Sequence, residues 1–232
     1  MIAELQAELE RRADPDRKAW WEGYVKGSAF RGVPMGEIRA VVRAWMDGRS
    51  PEEARAAAFD LMREPLSDDK LAGILILSEH LLGGLGPADL PAFRELLADE
   101  HLGGWNNCDW FCVKVLGRML ARSPERERIA DELTGWTRSD DLWVRRAGLV
   151  AFVNLAPRGD EALPGLTGRV LTGAERNAAD PRRFAQTSVG WTLRELSKAE
   201  PEAVARFLEE HGERLSAEAR RAAGAKLPAA LG

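Results

Sequence analysis

Three segments of this chain each pair a tryptophan with a charged residue at helical spacing. The pairs are Trp105 with Asp109, Trp143 with Arg146, and Trp191 with Arg194. Residues three or four positions apart lie on the same side of an α-helix, so each pair would present a ring and a charge to one space. Aromatic faces attract cations, carboxylates stabilise positive charge, and guanidinium groups bind anions such as phosphate. The common alternative is a tryptophan packed in the core beside a solvated charge.

The elements that would position these pairs are helices, because helix starts are legible along the chain. Residues 50–53 combine a serine cap, a proline at the first helical position and a glutamate at the capping-box position. Similar capping residues predict starts at Ser67, Ser123, Ser139, Asp180 and Ser216. A glycine pair at residues 103–104 comes directly before the predicted helix of Trp105 and Asp109.

Apolar residues between these starts recur at helical spacing, and no segment alternates as a strand would, which predicts an all-α fold of about a dozen helices. Starts near residues 51, 87, 124 and 201 are separated by 36, 37 and 77 residues. This spacing approximates the period of about 40 residues in HEAT repeats. We therefore expect a single domain over residues 1–232, a curved α-solenoid of HEAT-like antiparallel helix pairs with a concave binding face, although a compact bundle could be built from the same helices.

Composition excludes several classes of function. The 232 residues are 45% hydrophobic and 30% charged, which is typical of a folded globular protein. The chain contains no Ser-His-Asp order, phosphate-binding loop or dinucleotide fingerprint. No apolar run reaches the roughly 20 residues of a membrane span, and the N-terminal segment is charged where a signal peptide would be apolar. We expect a monomeric cytoplasmic protein that does not associate with a membrane and uses no cofactor.

The possible metal ligands are sparse. Cys108 and Cys112 are the only cysteines, and their spacing of four suits one helix rather than a zinc site. The three histidines, His80, His101 and His211, are scattered through the chain. A metal site needs three or four converging ligands, so we expect none.

Charge is distributed unevenly between the two halves of the chain. The formal net charge of −4 argues weakly against nucleic-acid binding. Up to residue 110 there are 13 Lys and Arg against 20 Asp and Glu, whereas from residue 111 onward there are 20 against 17. A basic face for a nucleic acid could therefore lie on the second half.

Three motifs resemble those of the AlkD-like alkylpurine DNA glycosylases, a family of HEAT-like solenoids. Residues 105–109 resemble the family's W-x-x-x-D element, residues 143–148 its W-x-x-R-A-A element, and residues 189–195 its I-G-W-x-L-R-E element. Order and approximate spacing agree, and weaker similarity runs through residues 24–26, 31–34 and 56–62. One departure is Asn106, which stands where the family's glycosylase pattern W-D-S-V-D has an acid.

The resemblance implies an enzyme that hydrolyses the N-glycosidic bond of cationic N3- or N7-alkylated purines in double-stranded DNA. Asp109 would stabilise the oxocarbenium-like state and orient water, while Trp105 and Trp191 would contact the cationic base and the deoxyribose. Arg146 would bind a backbone phosphate. Further candidates for phosphate contact are Arg145, Arg182, Arg183, Arg194, Lys114 and Arg118.

Two other functions stay open on the same residues. One is a non-catalytic protein that binds damaged or branched DNA, which the departure at Asn106 favours. The other is a HEAT-like scaffold that binds proteins through its groove, which the negative overall charge favours.

Overall fold

The computed structural model describes residues 2–231, which form α-helices joined by short links. Within that range there is no β-strand, and one isolated β-bridge pairs Ala29 with Leu66. The predicted all-α fold class is confirmed.

The helices group into two compact units. The first unit consists of the residues up to Leu85 together with Ala92–Val115, and the second of Gly86–Pro91 together with the residues from Leu116 onward. The first unit contains α1 (Ala3–Glu10), α2 (Pro15–Tyr24), α3 (Met35–Trp45), α4 (Pro51–Arg63), α5 (Ser67–Leu75), most of α6 (Leu90–Ala98) and α7 (Trp105–Phe111). The second unit contains α8 (Gly117–Arg122), α9 (Arg126–Trp136), α10 (Leu142–Val150), α11 (Leu166–Ala178), α12 (Arg183–Leu196), α13 (Pro201–His211) and α14 (Ala217–Gly224). A single domain over residues 1–232 stays a prediction.

Helices within each unit pack on their neighbours in chain order. In the first unit α1 contacts α3, α3 contacts α5, and α5 contacts both α4 and α7. In the second, α9 contacts α10 and α11, α10 contacts α11 and α12, and α12 contacts α13 and α14. Solenoids of helix pairs show this pattern, because each pair contacts only the pairs next to it. The predicted stacking of helix pairs is confirmed within each unit.

Two of the helices are extended by wider, π-helical turns. One turn, Ile76–Leu81, follows α5, and the other, Cys112–Leu116, follows α7. Such turns are rare and occur frequently at functional sites. The second turn comes one residue after the end of the helix that carries Asp109.

Several helices begin where their caps predict. The Ser50 hydroxyl accepts a hydrogen bond from the backbone N–H of Glu53, whose side chain accepts one from Ser50 in return, forming a complete capping box. Asp141 caps α10 by accepting from the backbone N–H of Val144 at 2.8 Å. Ser216 caps α14 by accepting from the N–H of Ala219 at 3.2 Å.

Four predicted starts need correction. Ser139 accepts a hydrogen bond from the backbone N–H of Asp141 at 3.2 Å, so it closes a turn before α10 and Asp141 is the cap. Helix α5 begins with Ser67 as its first residue rather than its cap. Ser123 and Asp180 accept hydrogen bonds from the backbone N–H two residues later, in Glu125 and Arg182, so they close turns before α9 and α12. Ser, Asp and Asn side chains form such turns as readily as helix caps, which explains the displacement of two or three residues.

The apolar stripes predicted by helical spacing form the core. Along α3, the side chains of Ile38, Val41, Val42 and Trp45 are buried, whereas Met35 is half-buried. From α7 to α8, Phe111, Val115, Leu116 and Met119 are buried. None of the helices described between residues 2 and 231 is long and apolar enough to cross a membrane.

Candidate functional site

Two glycines shape the turn from which α7 starts. Gly104 has a φ of +89°, a left-handed conformation that side chains rarely adopt. A Cβ atom on Gly103 would lie 2.8 Å from the carbonyl oxygen of Glu100. The turn therefore requires glycine at both positions, and it makes Trp105 the first residue of α7.

Trp105 and Asp109 lie one helical turn apart, as their spacing predicts. Both residues are half-buried, so Asp109 is not enclosed in the core. The residues around them on α7 differ, because Asn106, Asn107 and Cys108 are buried. Helix α7 thus leaves its first tryptophan and its one acid half-buried, whereas most of its other residues are buried.

Trp105 belongs to an aromatic cluster that consists of Trp20, Trp21, Tyr24, Phe30 and Trp105. The rings of Trp105 and Tyr24 meet edge to face, with ring centres 5.6 Å apart, and Tyr24 stacks on Trp20 at 5.2 Å. Trp21 stacks on Phe30 at 5.6 Å. Large aromatic side chains are seldom left in water without a function, yet Trp20 is 60% exposed and Tyr24 is 58% exposed.

The outer members of this cluster were missed as site candidates in the sequence. Helix α2, which carries Trp20, Trp21 and Tyr24, buries none of its residues fully. The spacing of four between Trp20 and Tyr24 does place them on one side of a helix, and that pattern could have been used. Their contact with Trp105 could not be predicted in this way, because residues 24 and 105 come together only through the packing of the first unit.

A small cavity lies next to the aromatic cluster. It has a volume of about 130 Å³ and is lined by residues that include Trp21, Phe30, Asp68, Asn106 and Trp110. Asn106, the residue that departs from the family's glycosylase pattern, is buried at this cavity. Its side chain is therefore placed differently from the half-buried Asp109.

Four consecutive buried polar residues in the first turn of α5, residues 67–70, hold the parts of this region together. The side-chain amide of Asn107 on α7 donates to the hydroxyl of Ser67 at 3.1 Å. Asp68 accepts hydrogen bonds from the backbone N–H groups of Arg31 at 2.6 Å and Val33 at 2.8 Å. Burial raises the pKa of the Asp68 carboxyl, even though these bonds favour its charged form.

The other two members of this turn are Asp69 and Lys70. The Arg31 guanidinium donates to both oxygens of the Asp69 carboxylate, at 3.0 and 2.9 Å. Lys70 donates from Nζ to the backbone carbonyl groups of Met62, at 3.2 Å, and His101. Burial lowers the pKa of Lys70 to about 8. The first turn of α5 thus joins the segment after α2, the end of α4 and the segment before α7.

One predicted phosphate contact, Lys114, also belongs to the first unit. Its ammonium group lies 5.2 Å from the centre of the Trp110 ring, which is within the range of a cation–π contact. The lysine and the tryptophan are both half-buried. Lys114 therefore keeps part of its surface accessible to an anion.

In the second unit, Trp143 and Arg146 both contact Phe184 on α12. The rings of Trp143 and Phe184 are 5.3 Å apart, and the Arg146 guanidinium carbon is 5.8 Å from the centre of the Phe184 ring. Nη1 of Arg146 donates to the backbone carbonyl of Phe184 at 2.7 Å and to the Thr187 hydroxyl at 3.1 Å. Arg146 is only 4% exposed, so in this structure it joins α10 to α12.

Arg145 and Arg182 converge on the buried Asp180. Nε of Arg145 lies 3.3 Å from the Asp180 carboxylate and donates to the backbone carbonyl of Ser139 at 2.9 Å. Arg182 donates to both oxygens of the Asp180 carboxylate, from Nε at 3.0 Å and from Nη2 at 2.5 Å. These hydrogen bonds from Arg182 lower the pKa of Asp180. Arg182 and Arg183 are both exposed, and Arg183 pairs with Glu218 at 2.8 Å.

Trp191 is half-buried on α12, directly after a glycine that the packing requires. A Cβ atom on Gly190 would lie 2.7 Å from the backbone carbonyl of Ala219 and 3.0 Å from the Cβ of Ala222. Close approach of α14 therefore explains the glycine.

The Arg194 guanidinium donates to the carboxylate of Glu195 at 3.1 Å. Arg118 on α8 is half-buried.

The predicted site residues are divided between the two units. Trp105, Asp109 and Lys114 belong to the first, and the second contains Arg118, Arg145, Arg146, Arg182, Arg183, Trp191 and Arg194. Among residues 2–231, no three His, Cys, Asp or Glu side chains are grouped so as to hold a metal ion. The thiols of Cys108 and Cys112 are buried, with their sulfur atoms 4.0 Å apart.

Solved structures of similar proteins share this fold. A predicted DNA alkylation repair enzyme from Enterococcus faecalis superposes with a TM-score of 0.79 at 17% identity, over 94% of this chain and 98% of that one. The crystal structure of smu.31 from Streptococcus mutans UA159 superposes with a TM-score of 0.59 at 13% identity, over 84% of this chain and 93% of that one. At such identities the likeness shows the fold alone. No curated protein matches the sequence of this chain.

The sequence itself matches a family over nearly its whole length. The sequence pattern of the family described as DNA alkylation repair enzyme matches residues 5–227. That range includes the aromatic cluster, Asp109 and the charged residues of the second unit. The resemblance seen in the three tryptophan motifs is thereby confirmed, and this chain belongs to the DNA alkylation repair enzyme family.

Proposed function

We propose that this protein is a DNA N-glycosylase that hydrolyses the N-glycosidic bond of cationic N3- or N7-alkylated purines in duplex DNA. Membership of the DNA alkylation repair family supports the substrate class. The observation that carries the proposal is the placement of Asp109, a half-buried acid one turn after a tryptophan of the aromatic cluster. Carboxylate and aromatic faces together suit a reaction in which both the base and the sugar carry positive charge.

The reaction needs a negatively charged carboxylate more than it needs a group that donates a proton. Alkylation at N3 or N7 gives the purine a positive charge, so the base leaves as a neutral molecule when it takes the electrons of the N-glycosidic bond. Positive charge then builds on the deoxyribose, and Asp109 would stabilise it. Water attacks the C1′ atom from the side held by Asp109, loses a proton, and an abasic site results. No protonation of the leaving base is required.

The aromatic cluster would select the cationic base over a normal one. A cation over a tryptophan or tyrosine face is stabilised by roughly 0.5 to 2 kcal/mol, depending on how far water is excluded. Trp105 would provide such a face beside Asp109, and the exposed rings of Trp20 and Tyr24 would extend it. By resemblance to the family, Trp191 would provide a second aromatic contact.

Phosphate contacts would come from the cations that remain accessible. Arg183 is exposed, and Lys114, Arg118 and Arg194 are at least partly so. We expect these side chains to contact the DNA backbone, with Arg182 beside them. Arg145 and Arg146 would act mainly by holding α10 in place, because their contacts join it to α11, to α12 and to the link between these two helices.

A second candidate is a non-catalytic protein that binds damaged or branched DNA. It is favoured by Asn106, a buried amide at the position where the family's glycosylase pattern has an acid. The glycosylase is the better supported of the two, since Asp109 is retained and half-buried whereas Asn106 is buried at a small cavity. A protein-binding scaffold finds no specific support in these residues.

The deciding experiment is the release of alkylated bases. Duplex DNA treated with a methylating agent is incubated with the protein, and freed 3-methyladenine and 7-methylguanine are quantified against the spontaneous rate. We expect release above that rate together with an equal number of abasic sites. Tight binding to the same DNA without release would refute the glycosylase in favour of the second candidate.

A further inference from the structure

One buried carboxylate near the end of α12 gathers three cationic side chains. Glu195 accepts hydrogen bonds from Arg194 Nε at 3.1 Å, from Lys198 Nζ at 2.5 Å and from Lys226 Nζ at 3.1 Å. We name these four residues the Glu195 cluster. Arg194 and Glu195 belong to α12, Lys198 lies two residues past its end, and Lys226 lies two residues past the end of α14.

The Glu195 cluster carries an excess of positive charge. Three cations share one carboxylate, which leaves a formal charge of +2. Among residues 2–231, Arg194, Lys198 and Lys226 form no ion pair with a second carboxylate. Held this close, the cations repel each other, and an anion that bound between them would relieve the repulsion.

The hydrogen bonds of the cluster favour the charged forms of Glu195 and Lys198. Burial alone would raise the pKa of Glu195, but the hydrogen bonds from Lys198, Lys226 and Arg194 lower it to about 2. Its hydrogen bond to Glu195 raises the pKa of Lys198 in turn. The ion pair between Glu195 and Lys198 is therefore kept at neutral pH.

The cations remain accessible while the carboxylate does not. The side chains of Arg194, Lys198 and Lys226 are 37%, 42% and 39% exposed, whereas that of Glu195 is 11% exposed. An anion that approaches the surface therefore meets the guanidinium and the two ammonium groups rather than the acid. Glu195 acts as an anchor that holds three flexible side chains in one place, which reduces the entropy lost when a ligand binds.

The cluster lies on the same side of α12 as Trp191. Arg194 and Glu195 follow Trp191 by three and four residues, so all three positions share one helix face. Trp191 is one of the residues that the family resemblance places in contact with DNA. An anion site one turn away from it is suitably placed for the backbone of the same DNA.

We propose that Arg194, Lys198 and Lys226, anchored by Glu195, form a binding site for a phosphodiester group of the DNA backbone. The proposal rests on the proposed function in that the ligand is DNA, but it does not require base release. Lysine and arginine side chains donate several hydrogen bonds, which suits a phosphate group because it accepts hydrogen bonds on several oxygens. The site adds Lys198 and Lys226 to the phosphate contacts and gives Glu195 a positioning role.

The test is the salt dependence of DNA binding by Lys226→Gln. Each lost phosphate contact lowers the slope of log affinity against log salt by about 0.9 on duplex DNA. We expect this decrease for Lys226→Gln, with weaker binding at low salt, and recovery of the slope in Lys226→Arg. Arg206→Gln on α13 removes the same charge from an exposed position outside the cluster and should leave the slope unchanged. Wild-type slopes in both Lys226→Gln and Lys226→Arg would overturn the proposal.

Two further measurements separate this proposal from other roles. A purely structural role for Lys226 would lower the melting temperature of Lys226→Gln while its salt slope stays that of the wild type, and that result refutes the site. A site for free phosphate would show as stabilisation by millimolar inorganic phosphate at constant ionic strength, lost in Lys226→Gln, with no change of the DNA slope; that result also refutes it. Base release, measured on the same samples, tests the glycosylase separately, because the salt slope is defined whether or not bases are freed.

Discussion

The side-chain amide of Asn107 donates a hydrogen bond to the hydroxyl of Ser67 across 3.1 Å, and it thereby joins the helix of Asp109 to the first residue of α5. Both residues are buried. The next residue on α5, Asp68, holds the backbone at Arg31 and Val33, in the segment that follows the aromatic helix α2. One helical turn therefore fixes α7 and the segment after α2 in the same unit, and with them the positions of Asp109 and the aromatic cluster.

A double-mutant cycle on Ser67 and Asn107 measures this connection. Ser67→Ala leaves the buried Asn107 amide without its acceptor, so we expect the free energy of unfolding to fall by about 1 to 3 kcal/mol. Asn107→Ala should cost a similar amount, and the double variant less than the sum, with a coupling of at least about 0.5 kcal/mol. Urea denaturation provides all three values. Full additivity would mean that the hydrogen bond contributes nothing to stability.

Asp109→Asn tests the catalytic role. The change removes a charge but keeps the size of the side chain, and we expect base release to fall by about 10² to 10³ because the developing positive charge loses its partner. The affinity for DNA should change little. Asp60→Asn, an exposed acid on α4, serves as the charge-matched control and should release bases at the wild-type rate. Equal activity of Asp109→Asn and Asp60→Asn would contradict the mechanism.

Gly190→Ala should destabilise the second unit. The added methyl group would meet the backbone of Ala219 at 2.7 Å, and helix backbone cannot move aside without displacing α14. We expect a loss of about 1 to 3 kcal/mol. Gly168→Ala on α11 is the matched control, since nothing lies within 4 Å of a Cβ there, and it should stabilise by about 0.5 to 1 kcal/mol. Thermal unfolding of the two variants should shift in opposite directions.

Arg146→Met separates structural support from phosphate binding. The variant removes hydrogen bonds to the Phe184 carbonyl and the Thr187 hydroxyl, so we expect a stability loss of about 1.5 to 3 kcal/mol, typical of bonds from a charged group. The slope of DNA affinity against salt should stay close to that of the wild type. Arg183→Gln should show the reverse, a smaller slope with little change in stability, because Arg183 is exposed. A large fall of the slope in Arg146→Met would restore its predicted role as a phosphate ligand.

Lys70 should make stability depend on pH in the alkaline range. Its pKa in the folded protein is about 8, below the ordinary value of about 10.4 in an unfolded chain. Between these values the unfolded state binds more protons than the folded state, so the free energy of unfolding should rise with pH, by up to about 3 kcal/mol. In Lys70→Met this rise should be missing, although the variant is less stable overall because two carbonyl groups lose their donor. Urea titrations of both proteins across this pH range supply the comparison.

Much of the fold could be predicted because helix formation is local. The capping box at residues 50–53, the cap at Ser216 and the glycine pair before Trp105 depend on side chains within four positions of each other. Apolar spacing located the core face of α3 for the same reason. At Ser123 and Asp180 the helices start later than predicted, because the same side chains formed a turn instead of a helix cap.

The sequence by itself thus determined an all-α chain, several of its helix starts, its family, and the pairing of Trp105 with Asp109. Only the tertiary structure decided which charges are accessible and which aromatic rings meet. Arg146 is buried because its acceptors lie on α12, about 40 residues away, and Trp105 meets Tyr24 across about 80 residues. Burial and side-chain pairing depend on such distant partners, whereas propensity and spacing report only on neighbours along the helix. For that reason the motif could identify Asp109, but not the turn of α5 that holds it or the carboxylate of Glu195 that gathers three cations.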